Sequence, residues 1–249
     1  MRRFLAFLLV VGISLSLTAC SESEPIQDES SSTTLVTIPN EDESLKSDAG
    51  QSEETEIESE SAQESFVAEN QSKILVAYFS WADNAILAED VDAVASPSVV
   101  APGNVQELAG WVQEETGGDL FAIRVTEPYP SDWDSCLARA NEERGNDARP
   151  ALEDQVENLD QYDTVFLGYP NWWYGVPMAI LTFLEENDLS GKDVYLFCSH
   201  GTGGLASSVE IITEAAPGAA ISDNIFDCYE EEASDSQSDI QNWVNELGY

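Results

Sequence analysis

The stretch Thr164-Val-Phe-Leu-Gly-Tyr-Pro-Asn-Trp-Trp-Tyr-Gly175 joins a short apolar run to an aromatic loop. Near-continuous apolar runs of this length are typical of strands buried on both faces of a parallel sheet. Two adjacent tryptophans and a tyrosine follow the run, and leaving such large apolar surfaces in water is costly. We therefore predict a buried strand over 164–168 whose carboxyl end carries a loop that binds a flat ligand.

The same alternation of apolar runs and helical spacing extends on both sides of this stretch. Strands are predicted over 73–79, 119–125, 164–168, 193–198 and 219–226. Helices are predicted between and after them, over 106–115, 132–146, 177–186, 204–215 and 236–247. This order predicts right-handed crossovers and a doubly wound α/β sheet. Ligands of such sheets bind beyond the carboxyl ends of the strands, where the strand order reverses.

Motifs at these strand ends resemble those of the flavodoxin-like family, in particular a flavodoxin branch of anaerobic bacteria. The resemblance covers 73–249, and its motifs are Val76–Ser80, Pro128–Pro130, Ala148–Leu152, Gly168–Trp173 with Pro177-Met178 and Phe183-Leu184, and Phe197–Gly204. It implies a three-layer sandwich with a five-stranded parallel sheet of order 2-1-3-4-5 and helices on both faces. It also implies FMN as the cofactor.

The resemblance assigns the FMN phosphate to the loop after the first strand and the start of the next helix. The matching residues are Ser80, Trp81, Ala82, Gly103, Asn104 and Val105. Two departures stand out, because about twenty residues (83–102) intervene and Val105 replaces a hydroxyl residue of the family. The inserted residues either cover the site or project from the surface. Backbone N–H groups at the helix N-terminus remain able to bind a phosphate.

The resemblance assigns the isoalloxazine ring to the loops after the third and fourth strands. One face is expected against Pro170, Asn171, Trp172, Trp173 and Tyr174. The other edge is expected against Ser199, His200, Gly201, Thr202, Gly203 and Gly204. Glycines here allow a ligand to approach the backbone closely.

Three functions from different classes stay open. The first is an electron carrier that serves a redox partner protein or a small electron acceptor. The second is an FMN-dependent NAD(P)H/quinone oxidoreductase, for which no cationic side chain near the loops is identifiable in the sequence. The third is a surface binding module without flavin, which Val105 and the insertion favour. The sequence does not determine the oligomeric state.

Two other patterns in the fourth-strand loop are weaker. Gly201–Ala206 fits G-x-G-x-x-A, with Asp223 about 20 residues further on, but a dinucleotide site there would follow the fourth strand instead of the first. Cys198 and His200 could form a nucleophilic dyad, although no G-x-S-x-G elbow is present. A single His and scattered Cys give no metal-ligand spacing.

The charge of the chain is strongly acidic, with 9 Lys and Arg against 48 Asp and Glu and a formal net charge of −39. Residues 73–249 hold six of the basic and 33 of the acidic residues, a formal charge of −27. This balance excludes a nucleic-acid binder that works through a basic patch, and it argues against electrostatic docking on an anionic bilayer.

The first 72 residues are predicted to be a signal peptide followed by a lipid-anchored disordered stalk. Arg2 and Arg3 precede an apolar run that ends in Leu17-Thr-Ala-Cys20, which resembles a bacterial lipobox. We expect residues 1–19 to be a lipoprotein signal peptide, Cys20 to carry the lipid, and 20–72 to form a disordered acidic stalk. The predicted location is extracytoplasmic, with membrane attachment only through Cys20.

Three further cysteines lie in the predicted domain. Cys198 and Cys228 would end neighbouring strands and are the favoured pair if a disulfide forms, with Cys136 left over. Buried free thiols are the interpretation that we favour.

Overall fold

A computed structural model describes residues 73–87 and 96–249 of the chain. The predicted signal peptide (1–19), the lipidated Cys20 and the stalk (20–72) lie outside the described residues, as do positions 88–95 of the insertion. Within the described part of the chain, no helix is both long enough and apolar enough to cross a membrane.

Parallel strands and helices alternate as the apolar pattern predicts. The six strands of the main sheet are β1 (Ile74–Tyr78), β2 (Asp119–Ala122), β3 (Thr164–Pro170), β4 (Asp193–His200), β5 (Ala220–Ile221) and β6 (Phe226–Tyr229). The described residues form five α-helices, which are α1 (Asn104–Thr116), α2 (Trp133–Gly145), α3 (Met178–Glu186), α4 (Ser208–Ala215) and α5 (Gln237–Leu247).

The sheet has the order β2-β1-β3-β4, with β5 and β6 both beside β4. All pairings in it are parallel, and in register Val76 lies opposite Leu120 and Phe166. The five-position order 2-1-3-4-5 is therefore confirmed, and two short strands share the fifth position.

Several boundaries differ from the prediction: the second strand ends at Ala122 and not at 125, and the third and fourth strands continue to Pro170 and His200. Two further differences have local reasons. The fifth strand is interrupted because the Ser222 hydroxyl accepts the N–H of Asn224 at 3.1 Å, a turn that takes the chain out of the ladder. The fourth helix begins at Ser208 and not at Gly204. Gly204 and Ala206 have φ of 57° and 43°, values that a right-handed helix does not accommodate.

Apolar layers cover both faces of the sheet, as a three-layer sandwich requires. Successive residues of β3 face opposite layers. Phe166 packs in the layer that contains α1 and α5. Val165 and Leu167 pack in the other layer, with α3 and α4. Each layer holds large, fully buried side chains. The near-continuous apolar runs in the sequence follow directly from burial on both faces.

Candidate functional site

A cleft of about 260 Å³ opens at the carboxyl end of the sheet, where β3 and β4 end. Its lining combines loops that the sequence pointed to with residues that it did not: Ser96, Ser98, Trp133, Leu137, Pro170, Asn171, Trp172, Trp173, Tyr174, Ser199, His200, Gly201, Thr202, Gly203 and Glu230. Among the described residues, the lining contains one carboxylate and one imidazole, and no Lys or Arg. The predicted aromatic loop (170–174) and glycine loop (199–204) therefore do meet at one cavity.

The aromatic loop after β3 contains a tight turn in a strained conformation. The Trp172 carbonyl accepts the Gly175 N–H at 2.9 Å, and the two central residues, Trp173 and Tyr174, have φ of 55° and 60°. Asn and Gly are the residues that such turns favour. For other residues, the left-handed conformation costs about 1–2 kcal/mol each. Backbone strain of this kind clusters at functional sites.

The three aromatic residues of this loop have different environments. The Trp172 ring packs edge-on against Phe79 and Tyr129, with centroids 5.5 and 5.3 Å apart, which anchors the loop on the core. Trp173 lines the cleft, and its buried Nε1 has no hydrogen-bond partner. Tyr174 is 65% exposed at the cleft edge. Trp173 is therefore the residue with an unused donor.

Hydrogen bonds join the aromatic loop to the glycine loop. Asn171 Nδ2 donates to the carbonyls of Gly204 and Leu205 at 2.6 and 3.1 Å. The Ser207 N–H donates to the Tyr174 carbonyl at 3.1 Å. The two walls of the cleft are thus held at a fixed separation, although Gly204 itself does not line the cavity.

Gly203 permits the close approach of these two loops. A Cβ at this position would lie 3.0 Å from Cδ1 of Tyr174. Any side chain there would push the tyrosine ring out of place.

His200 lies between two acceptors at the edge of the cleft. Its Nε2 is 2.8 Å from Asp227 Oδ1, and its Nδ1 is 2.9 Å from the Gly201 carbonyl. Each ring nitrogen of His200 is thus within hydrogen-bond distance of an oxygen atom.

The Cys198–His200 dyad is not formed. Both ring nitrogens of His200 are engaged elsewhere, and the Cys198 thiol is fully buried and contacts the Ser199 carbonyl at 3.5 Å. Burial, followed by the charge of Asp227, raises the pKa of that thiol well above its usual value, which disfavours the thiolate. Cys136 and Cys228 are also buried and free, so the three thiols are free as expected.

The N-terminus of α1 lies beside an unpartnered hydroxyl. Gly103 precedes the helix with φ of 81°, and no side chain caps it. A Cβ on Gly103 would collide with Ser80 Oγ and meet Ala82 Cβ at 2.9 Å. Ser80 is 1% exposed, and its Oγ has no hydrogen-bond partner. Buried hydroxyls in native proteins are normally bonded, so this one points to a missing ligand atom.

The next two residues of α1 serve the fold. Asn104 Nδ2 donates to Ser199 Oγ at 3.1 Å and to the Glu230 carbonyl at 2.8 Å. Val105 is 1% exposed in the apolar layer under the sheet. Only the backbone N–H of Val105 is therefore available to a ligand.

A smaller aromatic cavity of about 90 Å³ adjoins the cleft. Trp81, Trp133 and Trp172 line it together with Cys136, Leu137, Ala140, Asn171 and Trp173. Trp81 is fixed there by a hydrogen bond from its Nε1 to the Pro130 carbonyl at 3.0 Å. Trp81 thus belongs to this cavity and not to the main cleft.

Sequence reasoning missed five residues of the main cleft. Ser96 and Ser98 belong to the inserted segment, so that part of the insertion lies at the site. Trp133 and Leu137 lie in the first two turns of α2, and Trp133 is 41% exposed. Glu230 follows β6 directly. A fifth strand predicted at 226–229 would have identified Glu230, because ligands of such sheets bind just beyond the carboxyl ends of the strands.

Comparisons with known proteins bear on the family and the fold of the chain. A family model described as flavodoxin matches residues 91–247. A crystal structure of a candidate flavoprotein from Bacteroides eggerthii is 27% identical, covers 72% of this chain and 99% of its own, and has a TM-score of 0.54. Another, from Bacteroides uniformis, is 24% identical over 71% and 99%, with a TM-score of 0.54.

Two further comparisons complete the set. A flavoprotein of Lactobacillus acidophilus, solved in complex with FMN, is 20% identical, covers 68% of this chain and 99% of its own, and has a TM-score of 0.48. No match was found among curated proteins. The family model spans more than half of the residues of this chain. The chain therefore belongs to the flavodoxin family, and this membership supports FMN as its cofactor.

Proposed function

We propose that residues 73–249 bind FMN in the main cleft and act as an electron carrier. The observation that carries the proposal is the buried Ser80 hydroxyl, which has no hydrogen-bond partner among the described residues and lies beside the uncapped N-terminus of α1. This terminus does not itself line the cleft, but its Asn104 bonds Ser199 of the lining at 3.1 Å. A phosphate there would accept hydrogen bonds from Ser80 and from the first N–H groups of the helix.

The ring end of the cofactor fits the opposite part of the cleft. Trp173 offers an aromatic face and a free indole N–H, and the backbone of Gly201–Gly203 offers a surface without large side chains. When bound, FMN supplies the electron-transfer chemistry, and the protein supplies position and electrostatics. The hydrogen bonds of Asn171 hold both walls in place before any ligand arrives.

The charge of the cleft favours a carrier over a nicotinamide-dependent enzyme. Glu230 is in the lining and no Lys or Arg is, so a polyanionic dinucleotide meets no cationic side chain there. A domain with a formal charge of −27 attracts a basic redox partner, with association rates that fall as ionic strength rises.

The aromatic cavity supports a second candidate, an FMN-dependent oxidoreductase with a small planar acceptor such as a quinone. Trp81 and Trp133 lie at its wall with ring centroids 6.0 Å apart, and their apolar surface suits an aromatic ligand.

Electron-transfer assays on the FMN-loaded protein separate the two candidates. The carrier account predicts that a basic c-type cytochrome is reduced at a rate that falls steeply with added salt, and that NADH and NADPH are not oxidised. Steady NAD(P)H oxidation with a soluble quinone would instead establish the enzyme. Absence of FMN binding would leave the surface binding module.

We further propose that the domain is tethered outside the cytoplasm by lipid on Cys20. The basic pair Arg2-Arg3, the apolar run after it and Leu17-Thr-Ala-Cys20 support this. Labelled fatty acid should enter the wild-type chain and not Cys20→Ser, and wild type should sediment with membranes. Equal labelling of both chains would refute the anchor.

A further inference from the structure

We propose that Ser98, contributed by the inserted segment and held in place by Ser96, binds the phosphate end of the cofactor and replaces the hydroxyl that the chain lacks at Val105. The inference rests on the proposed function, because it assigns the phosphate contacts of the same cleft. The flavodoxin resemblance places no ligand contact in an insertion. The assignment comes from the position and bonding of these two serines.

Ser98 lies against the N-terminus of α1, and Ser96 is hydrogen-bonded to it. Ser96 is 2% and Ser98 is 8% exposed, and both line the main cleft. The Ser98 carbonyl would be 3.1 Å from a Cβ on Gly103, the glycine whose other neighbour is Ser80 Oγ. The inserted segment therefore returns the chain to the place where the helix begins.

A hydrogen-bond chain holds the two hydroxyls in this position. Ser96 Oγ donates to Glu230 Oε2 at 2.6 Å and lies 2.6 Å from Ser98 Oγ. Ser96 Oγ also accepts the Ser98 N–H at 3.3 Å and so caps the short 3-10 helix Pro97–Val99. Among the described residues, the hydroxyl proton of Ser98 has only Ser96 Oγ as an acceptor. A phosphate oxygen carries negative charge and is therefore a stronger acceptor for this proton than the serine hydroxyl is.

The neighbourhood explains why hydroxyls are needed there. Val105 points into the apolar layer and offers no hydroxyl, and the cleft lining has no Lys or Arg. Ser80 Oγ is buried and unpartnered at the same helix terminus, which independently indicates a ligand with acceptor atoms. Ser80 and Ser98 therefore supply two hydroxyl donors near the start of the helix, because Ser96 already donates its proton to Glu230.

The test compares FMN with riboflavin, which differ only in the phosphate. Dissociation constants are measured by flavin fluorescence on the purified protein, for wild type, Ser96→Ala, Ser98→Ala and the double variant. We expect FMN affinity to fall about tenfold for Ser98→Ala, to fall by less for Ser96→Ala, and to fall no further in the double variant than in Ser98→Ala, while riboflavin affinity stays within about twofold. Ser98→Thr, which keeps the hydroxyl, should restore the FMN preference. Ser238→Ala, on the exposed face of α5, is the matched control.

Each other outcome counts against the inference. If FMN and riboflavin affinities fall together, the serines only support the fold of the cleft. If neither changes, they do not contact the cofactor. If wild type binds riboflavin and FMN equally, no phosphate site exists in the cleft. Wild type that binds no FMN would overturn the proposed function itself, and with it this inference.

Discussion

Replacing Ser80 with alanine should move stability and cofactor affinity in opposite directions. In the ligand-free structure, Ser80 Oγ is buried and makes no hydrogen bond, so its removal breaks none. An unsatisfied buried polar group costs about 1–3 kcal/mol, and Ser80→Ala relieves part of that cost. The free energy of unfolding without flavin should therefore stay constant or rise by about 1 kcal/mol.

The same substitution should weaken FMN binding. A hydrogen bond to a charged acceptor contributes about 1.5–3 kcal/mol, which corresponds to an increase in Kd of about 10- to 150-fold. Urea denaturation without flavin measures the first quantity, and a fluorescence titration with FMN measures the second.

Ser236→Ala provides the matched control, because this serine is equally buried but bonded. Its Oγ donates to the Glu232 carbonyl at 2.9 Å, and neither residue lines the cleft. It should lose about 1 kcal/mol of stability and keep its FMN affinity. If Ser80→Ala instead loses stability and keeps its affinity, the hydroxyl is an ordinary structural group and the assignment of the phosphate position is refuted.

Three other perturbations test separate parts of the account. Trp173→Ala should raise the FMN Kd about 2- to 12-fold, from the roughly 0.5–1.5 kcal/mol of an aromatic stacking pair, and an unchanged titration would contradict the stacking role. Tyr174→Gly should have a free energy of unfolding about 1 kcal/mol higher than that of Tyr174→Ala, because φ is 60° at this position and glycine adopts that angle without strain. Urea denaturation measures the difference, and the opposite order would show that the turn is unstrained. Burial raises the pKa of Cys136 to about 12 and that of Cys228 to about 11, from a usual value of 9.0. Unfolded thiols ionise first, so stability should fall as pH rises above 9 towards these values, by up to about 1.4 kcal/mol per pH unit for each thiol, and a Cys136→Ala, Cys228→Ala variant should show a shallower loss.

The central strands were predictable because burial on both faces leaves an unbroken apolar run. Val165 and Leu167 face one layer and Phe166 the other, so no polar residue interrupts β3. The edge of the sheet was less predictable, because a single side-chain hydrogen bond at Ser222 divides the fifth strand. The start of α4 depends on backbone angles at Gly204 and Ala206 that composition does not specify.

The cleft was predictable where it consists of strand ends, and not where it depends on distant contacts. The aromatic loop follows β3 and the glycine loop follows β4. These two strands are neighbours in any doubly wound sheet of this order. The difference between Trp172 and Trp173 arises from packing against Phe79 and Tyr129, which only the folded chain brings together. Ser96 meets Glu230 across 134 residues of sequence, a contact that no local pattern signals.

The binding of FMN itself is the most direct test of the account. We would purify residues 21–249, add FMN in steps, and record visible absorbance and flavin fluorescence. The account predicts saturable quenching with one FMN per chain and a perturbed flavin absorbance spectrum. Unquenched fluorescence at high micromolar FMN would contradict it, and would mean that the cleft between the aromatic and glycine loops serves a different ligand.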